Sequence, residues 1–264
     1  MNLKQLFAIA SLTVGSALAL GTAPAQAAGI TFSSFNFGTN FTGSDPKGNI
    51  MLNSVTTGDR TITNFHTVNS VNIIQNDLWT GGNTGAASAD RGDNATIGVK
   101  AENPTNNNLA AALGNLNLTS IIDTEDDGSF TMDLFFDTAI DQFLFWERGM
   151  NSRLKVQAIG SGGSILAEYL LDSRSSAKQA TNAGFNMNTT EVGEQSVGAL
   201  GLWLNGAKTN QLRLISQSNY NGADFKVVGA QAVPEPATMA GTALALGALA
   251  TARRKKRQAD AAKG

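Results

Sequence analysis

The chain has no cysteine and a single histidine, His66, in 264 residues. Without cysteine no disulfide can form, so a packed core must hold the fold. One histidine and no cysteine also leave zinc without its usual ligands. A serine triad would have to use His66, and no Gly-x-Ser-x-Gly elbow marks a nucleophile. His66 is therefore read as an ordinary surface or turn residue. Positive charge is scarce in the middle of the chain. Seven of the 19 basic residues lie in the terminal segments, against two of the 21 acidic ones; the middle keeps 12 against 19, a net of −7. That balance excludes the clustered basic footprint of a nucleic-acid binder. It leaves room for divalent cations. Long helical patterns and fixed-period repeats of the solenoid kind are also missing.

What is there begins with two address-like ends. Lys4 precedes an apolar run from Leu6 to about Leu20, and Ala25-Gln26-Ala27 follows. Charge, apolar run and small-x-small site come in the order of a secretory signal, with signal peptidase cutting between Ala27 and Ala28. Residues 1–27 are thus read as a signal peptide and 28–232 as the exported domain. Its roughly 200 residues can bury one good core without staples.

Within 28–232 the apolar residues come in short runs bounded by Gly, Asn or Asp. Predicted strands include Thr61–Phe65, Val68–Ile74, Ala95–Val99, Leu116–Ile122, Phe130–Phe136, Gln142–Trp146, Leu154–Ile159, Ile165–Leu171, Val197–Leu204, Leu212–Ile215 and Phe225–Val228. Phe130, Met132 and Leu134 alternate with Thr131 and Asp133; Leu154, Val156 and Ala158 alternate with Lys155 and Gln157. Such strands have one dry and one wet face. Leu109–Leu113 can form a short helix after the Asn106-Asn107-Asn108 cap region. The expected fold is all-β, a jelly-roll-like antiparallel sandwich. A signal helix precedes it and a hydrophobic sorting helix follows.

The sheet should end before Pro234 and Pro236, which cannot donate to a ladder. After Pro234-Glu235-Pro236, Ala237 to Ala252 is a run of 16 uncharged residues. As a helix it would be about 24 Å long, short of the hydrocarbon core of about 30 Å. Arg253, Arg254, Lys255, Lys256 and Arg257 follow at once and would hold that end in the cytoplasm. The three elements in this order resemble the PEP-CTERM sorting signal over residues 233–257, with 258–264 as a polar extension. The resemblance implies export, a transient stay in the inner membrane, and cleavage by exosortase near Pro234-Glu235-Pro236. It implies delivery to the cell surface, the outer envelope or the medium. Phe143–Ser152 and Asn221–Val228 resemble exosortase-dependent surface proteins, a group that supplies a location and no chemistry.

Candidate chemistry is sparse. Asp123-Thr-Glu-Asp-Asp-Gly128 puts carboxylates Asp123, Glu125 and Asp127 at positions 1, 3 and 5 and Gly at 6, as a calcium loop does. Position 12, however, is Leu134, and strands rather than helices flank the segment. An acidic hairpin turn is preferred, with Ca²⁺ as the alternative. Asp90-Arg-Gly-Asp93 is read as an accidental tripeptide. Glu147, Glu168, Asp133, Asp137 and Asp141 are the acids from which a glycosidase pair would have to come. Trp146 and Trp203 sit in apolar runs and are read as core; Trp79 is the surface aromatic that could stack on a sugar. The expectation is a non-enzymatic surface or matrix protein, structural or adhesive in the envelope or exopolysaccharide and needing no cofactor. A carbohydrate-binding module, with or without Ca²⁺, and a polysaccharide hydrolase remain as alternatives.

Overall fold

The computed structural model describes residues 29–80, 87–89, 101–177, 179–188 and 193–231. The signal peptide with Ala25, Ala27 and Ala28, the Ala95–Val99 strand, Asp90–Asp93 and the sorting tail lie outside the described residues. The first part forms β1 (Thr31–Phe35), β2 (Gly38–Thr42), β3 (Met51–Thr57), β4 (Arg60–Ile62), β5 (Phe65–His66) and β6 (Val68–Asn76). β7 (Ala87–Ala89), helix α1 (Asn106–Leu113) and β8 (Ile122–Thr124) follow. The second half runs β9 (Phe130–Ile140), β10 (Gln142–Arg148), β11 (Arg153–Ile159), β12 (Ile165–Asp172), β13 (Thr181–Met187), β14 (Gln195–Asn205), β15 (Thr209–Ser216) and β16 (Phe225–Ala230).

These strands make an antiparallel all-β sandwich. The largest sheet runs β1-β14-β10-β16-β8-β7, with β13 also on β14 and β5 also on β16. A five-stranded sheet, β12-β11-β15-β9-β6, covers one face of it, and a small sheet, β2-β3-β4, covers part of the other. The large sheet is therefore a middle layer. Phe143, Phe145, Leu202 and Val227 point to the core shared with Leu134, Val156 and Leu214 of the five-stranded sheet. Leu144, Trp146, Ala199 and Val228 point the other way, to Leu52, Val55 and Ile62 of the small sheet and to Leu118 and Ile121 of the loop after α1. Double coverage is why β10 and β16 are buried at every position and carry the continuous apolar stretches Phe143–Trp146 and Val227–Ala230, whereas half-covered strands alternate.

The second core was hidden in the sequence because its cover is poor in apolar residues. Of Leu116–Ile122, residues 116–121 form a largely buried loop and only Ile122 is strand, the start of β8. Asn117 fixes the loop: its Oδ1 accepts from Ile50 N at 3.2 Å and from Thr119 Oγ1 at 2.8 Å. Trp146 donates from Nε1 to Thr39 Oγ1 at 3.0 Å and meets Phe37 edge-on at 5.3 Å, joining the middle and small sheets. α1 starts earlier than predicted. Thr105 is its cap, trading hydrogen bonds with Asn108 in a capping box, and Leu109, Ala112 and Leu113 form its buried stripe.

Gly201 makes room on β14 for a side chain of the neighbouring strand. A Cβ there would lie 2.3 Å from the ring of Phe35, its register partner on β1. Gly201→Ala is expected to cost about 1 kcal/mol, the low end for overpacking because the ring can swing aside. A urea midpoint that does not move would show that Phe35 is not held there.

Candidate functional site

The densest concentration of chemically able side chains lies where β10 ends beside the start of β16. These are the segments Phe143–Ser152 and Asn221–Val228. They are neighbours in the middle sheet, in register from Gln142↔Ala230 to Glu147↔Phe225. Alternation sends Glu147 and Arg148 to opposite faces. Arg148 is 2% exposed. Its Nε and Nη2 donate to Asp224 Oδ2 at 3.2 and 2.9 Å, and Nη2 also donates to Asp123 Oδ1 at 3.1 Å. Asp224 Oδ1 accepts from Thr124 N at 3.0 Å. One guanidinium thus ties β8, β10 and the loop before β16. Gly222, at φ +33°, lets that loop pass against the Thr124 carbonyl, which a Cβ would approach to 1.8 Å. Burial pushes the Asp224 carboxyl above its ordinary range, against the pull of Arg148.

Glu147 is equally sealed. Its Oε1 accepts from Ser152 Oγ at 2.7 Å, while Oε2 is buried without a partner. Ser173 closes the group, donating from Oγ to Ser152 O at 2.9 Å. Burial pushes the Glu147 carboxyl up to about 7, opposed by the hydrogen bonds of Ser152 and Ser173. Lys226, on the other face, is fully buried. Its Nζ donates to Ala112 O at 2.8 Å and to Asn115 Oδ1 at 3.1 Å. It thereby satisfies a carbonyl that the end of α1 leaves open, and burial holds the amine well below the usual lysine range. These groups face inward, and the geometry they support is that of clamps.

The residues singled out in sequence fall in different places. Asp123 is engaged by Arg148, Asp127 is exposed, and the Glu125 carbonyl accepts from Gly128 N at 3.0 Å. Among the described residues no group of three or more carboxylate or imidazole side chains gathers as a metal site would. The turn at Asp127-Gly128 is real, but it is not a hairpin. β8 pairs with β16 and β7, whereas β9 pairs with β6 and β15, so the chain crosses between sheets there. Of the glycosidase acids, Asp133 is paired with Arg213 at 2.7 Å and Glu168 with Lys155 at 3.2 Å. Asp141 lies 3.9 Å from Lys208.

Trp146 is core, as expected, but Trp203 is 44% exposed. It stands on the middle sheet's outer face beyond the reach of the small sheet. Trp79 is 37% exposed, its backbone N–H held by Asn103 Oδ1 at 2.9 Å. His66 is neither a free surface residue nor a turn. It lies on edge strand β5, mostly buried, with Nδ1 3.0 Å from Asp137 Oδ1 and Nε2 buried without a partner. Sequence reading missed Arg148, Asp224 and Lys226. Their signal was a charge set inside or beside a continuous apolar run.

The family description "PEP-CTERM protein-sorting motif" matches residues 232–257. The chain carries that motif, with Pro234, Glu235 and Pro236 at its head and Arg253 to Arg257 at its end. The motif implies processing by exosortase and export to the cell surface or extracellular space. No curated protein matches the chain. Among solved structures, a mutant of the lectin binding domain of Lectinolysin complexed with Lewis b is 8% identical over 44% of this chain and 73% of that one, with a TM-score of 0.29. A likeness of that size carries no argument about function.

Proposed function

We propose that this is a non-enzymatic surface or extracellular-matrix protein whose sandwich is structural or adhesive in the envelope or its exopolysaccharide. The observation that carries the reading is the sorting motif at residues 232–257 behind a body whose strongest ionic groups are spent on packing. Arg148, Asp224, Glu147 and Lys226 are sealed between layers, where they brace strands rather than meet a substrate. No cofactor is needed for such a role. Signal peptidase and exosortase are the processing partners, and the inner membrane is a passing stage.

The intact mass of the mature protein, purified from the host's envelope and medium, tests this. The expected chain starts at Ala28 and ends near Pro234-Glu235-Pro236, and any extra mass identifies an attached group. A chain still carrying Arg253 to Gly264 would be a stable inner-membrane anchor, and the surface reading would fall.

A further inference from the structure

We propose that the cleft beside His66 binds one sugar ring of a surface glycan. The inference deepens the adhesive reading and names the ligand class that the body would hold. The cleft opens where edge strand β5, the far end of β9 and helix α1 meet. Its volume is about 460 Å³, inside the ordinary range of roughly 300–1,000 Å³ for small-molecule sites.

The lining has the chemistry that hydroxyl groups need. Asp137, Asn69, Thr67 and His66 supply a carboxylate, an amide, a hydroxyl and an imidazole around one space. Asp137 spends one oxygen on His66 Nδ1, which fixes the ring, and its side chain is still 66% exposed. The carboxylate can therefore accept further hydrogen bonds at the cleft. His66 Nε2 is sealed from solvent, so the part the ring plays at the cleft is to hold the Asp137 carboxylate through Nδ1. Phe65, Val68, Ala110 and Ala111 give the apolar part of the lining. The short side chain of Ala111, exposed on α1, keeps the space open.

Other ligand classes fit less well. A phosphorylated or carboxylate ligand would meet Asp137 and a middle region of net charge −7. A hydrocarbon would strand four polar side chains. A metal ion would find two ligands, His66 and Asp137, and among the described residues no third joins them. A pyranose ring pairs several hydroxyls with an apolar C–H face, and this matches a lining that mixes Asp137, Asn69, Thr67 and His66 with Phe65 and Ala111.

The test is ligand-observed saturation-transfer NMR on the mature protein, with glucose, galactose, mannose and N-acetylglucosamine as probes. At least one should show saturable binding with a Kd on the order of 1 mM, a typical weak single-ring affinity of about −4 kcal/mol. Ala111→Leu, which fills the cleft from an exposed position, and Asp137→Asn should each weaken it about tenfold or more, the effect of losing one charged hydrogen bond or its space. Trp79→Ala and Trp203→Ala should leave it unchanged. Thermal melts of the two cleft variants establish that they fold. No saturable binding by any probe, or binding that survives Ala111→Leu in a folded protein, overturns the proposal. Either result leaves the mature mass untouched, so failure here is distinguishable from failure of the sorting reading.

Discussion

Arg148→Met should destabilise the folded body by about 3–5 kcal/mol, the usual result of deleting one partner of a buried ion pair. A long apolar side chain keeps most of the packing volume, so the loss reports charge rather than a cavity. It leaves Asp123 and Asp224 facing each other across the place the guanidinium held. The geometry makes the loss large. Arg148 reaches both carboxylates within 3.2 Å, and its side chain is 3% exposed, so water cannot step in. Asp224 can relieve part of the cost by taking a proton, since burial already pushes its carboxyl up. The variant should therefore lose less at pH 5 than at pH 8. Urea unfolding at both values, with Asp224→Asn added to Arg148→Met, measures this. The double variant should recover part of the loss because it removes one stranded charge. A single-variant loss under about 1 kcal/mol would put the pair in the class of solvent-screened surface bridges and remove the clamp from this account.

That clamp marks the boundary of what was legible in the sequence. Period-two alternation located β9 and β11, because each has one buried face and little else constrains it. The runs that became β10, β14 and β16 were recognisable as strands. That they are covered on both faces was not read from them. The second cover comes from the small sheet around Met51–Thr57 and from the loop after α1. Met51–Thr57 carries too few apolar residues to stand out, and the loop after α1 stood out as a strand instead. Leu118 and Ile121 looked like strand residues because burial, not hydrogen bonding, is what the pattern records. The turn at Asp127-Gly128 was visible, but whether a turn joins neighbours in one sheet or crosses between two is decided by partners far away in sequence. Arg148 and Asp224 are 76 positions apart, and His66 and Asp137 are 71 apart. No local spacing announces such pairs. A charge embedded beside an apolar run does say that a partner must exist, because an unpaired buried charge is too costly to keep. Glu147, Arg148 and Lys226 could have been found that way.

Lys226 illustrates how the two cores depend on each other. It pairs in register with Trp146, whose ring fills the second core, while its amine holds the last turn of α1, whose leucines fill the first. The helix end is thus fastened to the middle sheet by a hydrogen bond that needs no ionised lysine.

Stability should fall as pH rises from about 4.5 to 7, and Glu147 is the reason. Its carboxyl has an ordinary value of 4.5 and is raised by burial to about 7 in the fold. Below 4.5 both folded and unfolded chains hold the proton, and nothing is lost. Between the two values the folded chain holds a proton that the unfolded chain has released, so each step up in pH favours unfolding. Above 7 the full penalty is present. A shift of that size corresponds to roughly 3 kcal/mol. Glu147→Gln cannot ionise, and its amide oxygen can still accept from Ser152 Oγ. Placing an amide N–H₂ where Oε2 has no partner adds a cost, but one that does not change with pH. The comparison therefore rests on slopes. Between pH 4.5 and 8 the unfolding free energy of the native sequence should drop by roughly 3 kcal/mol more than that of Glu147→Gln. Two neighbours share the titration. Arg148 favours the ionised carboxylate, and Asp224 is itself pushed up partly by Glu147. The variant should accordingly let Asp224 titrate at a slightly lower pH, which makes its own curve flatter and widens the difference. Parallel curves for the two proteins would mean that Glu147 ionises in the fold as it does in water, and that the pocket of Ser152 and Ser173 is open to solvent.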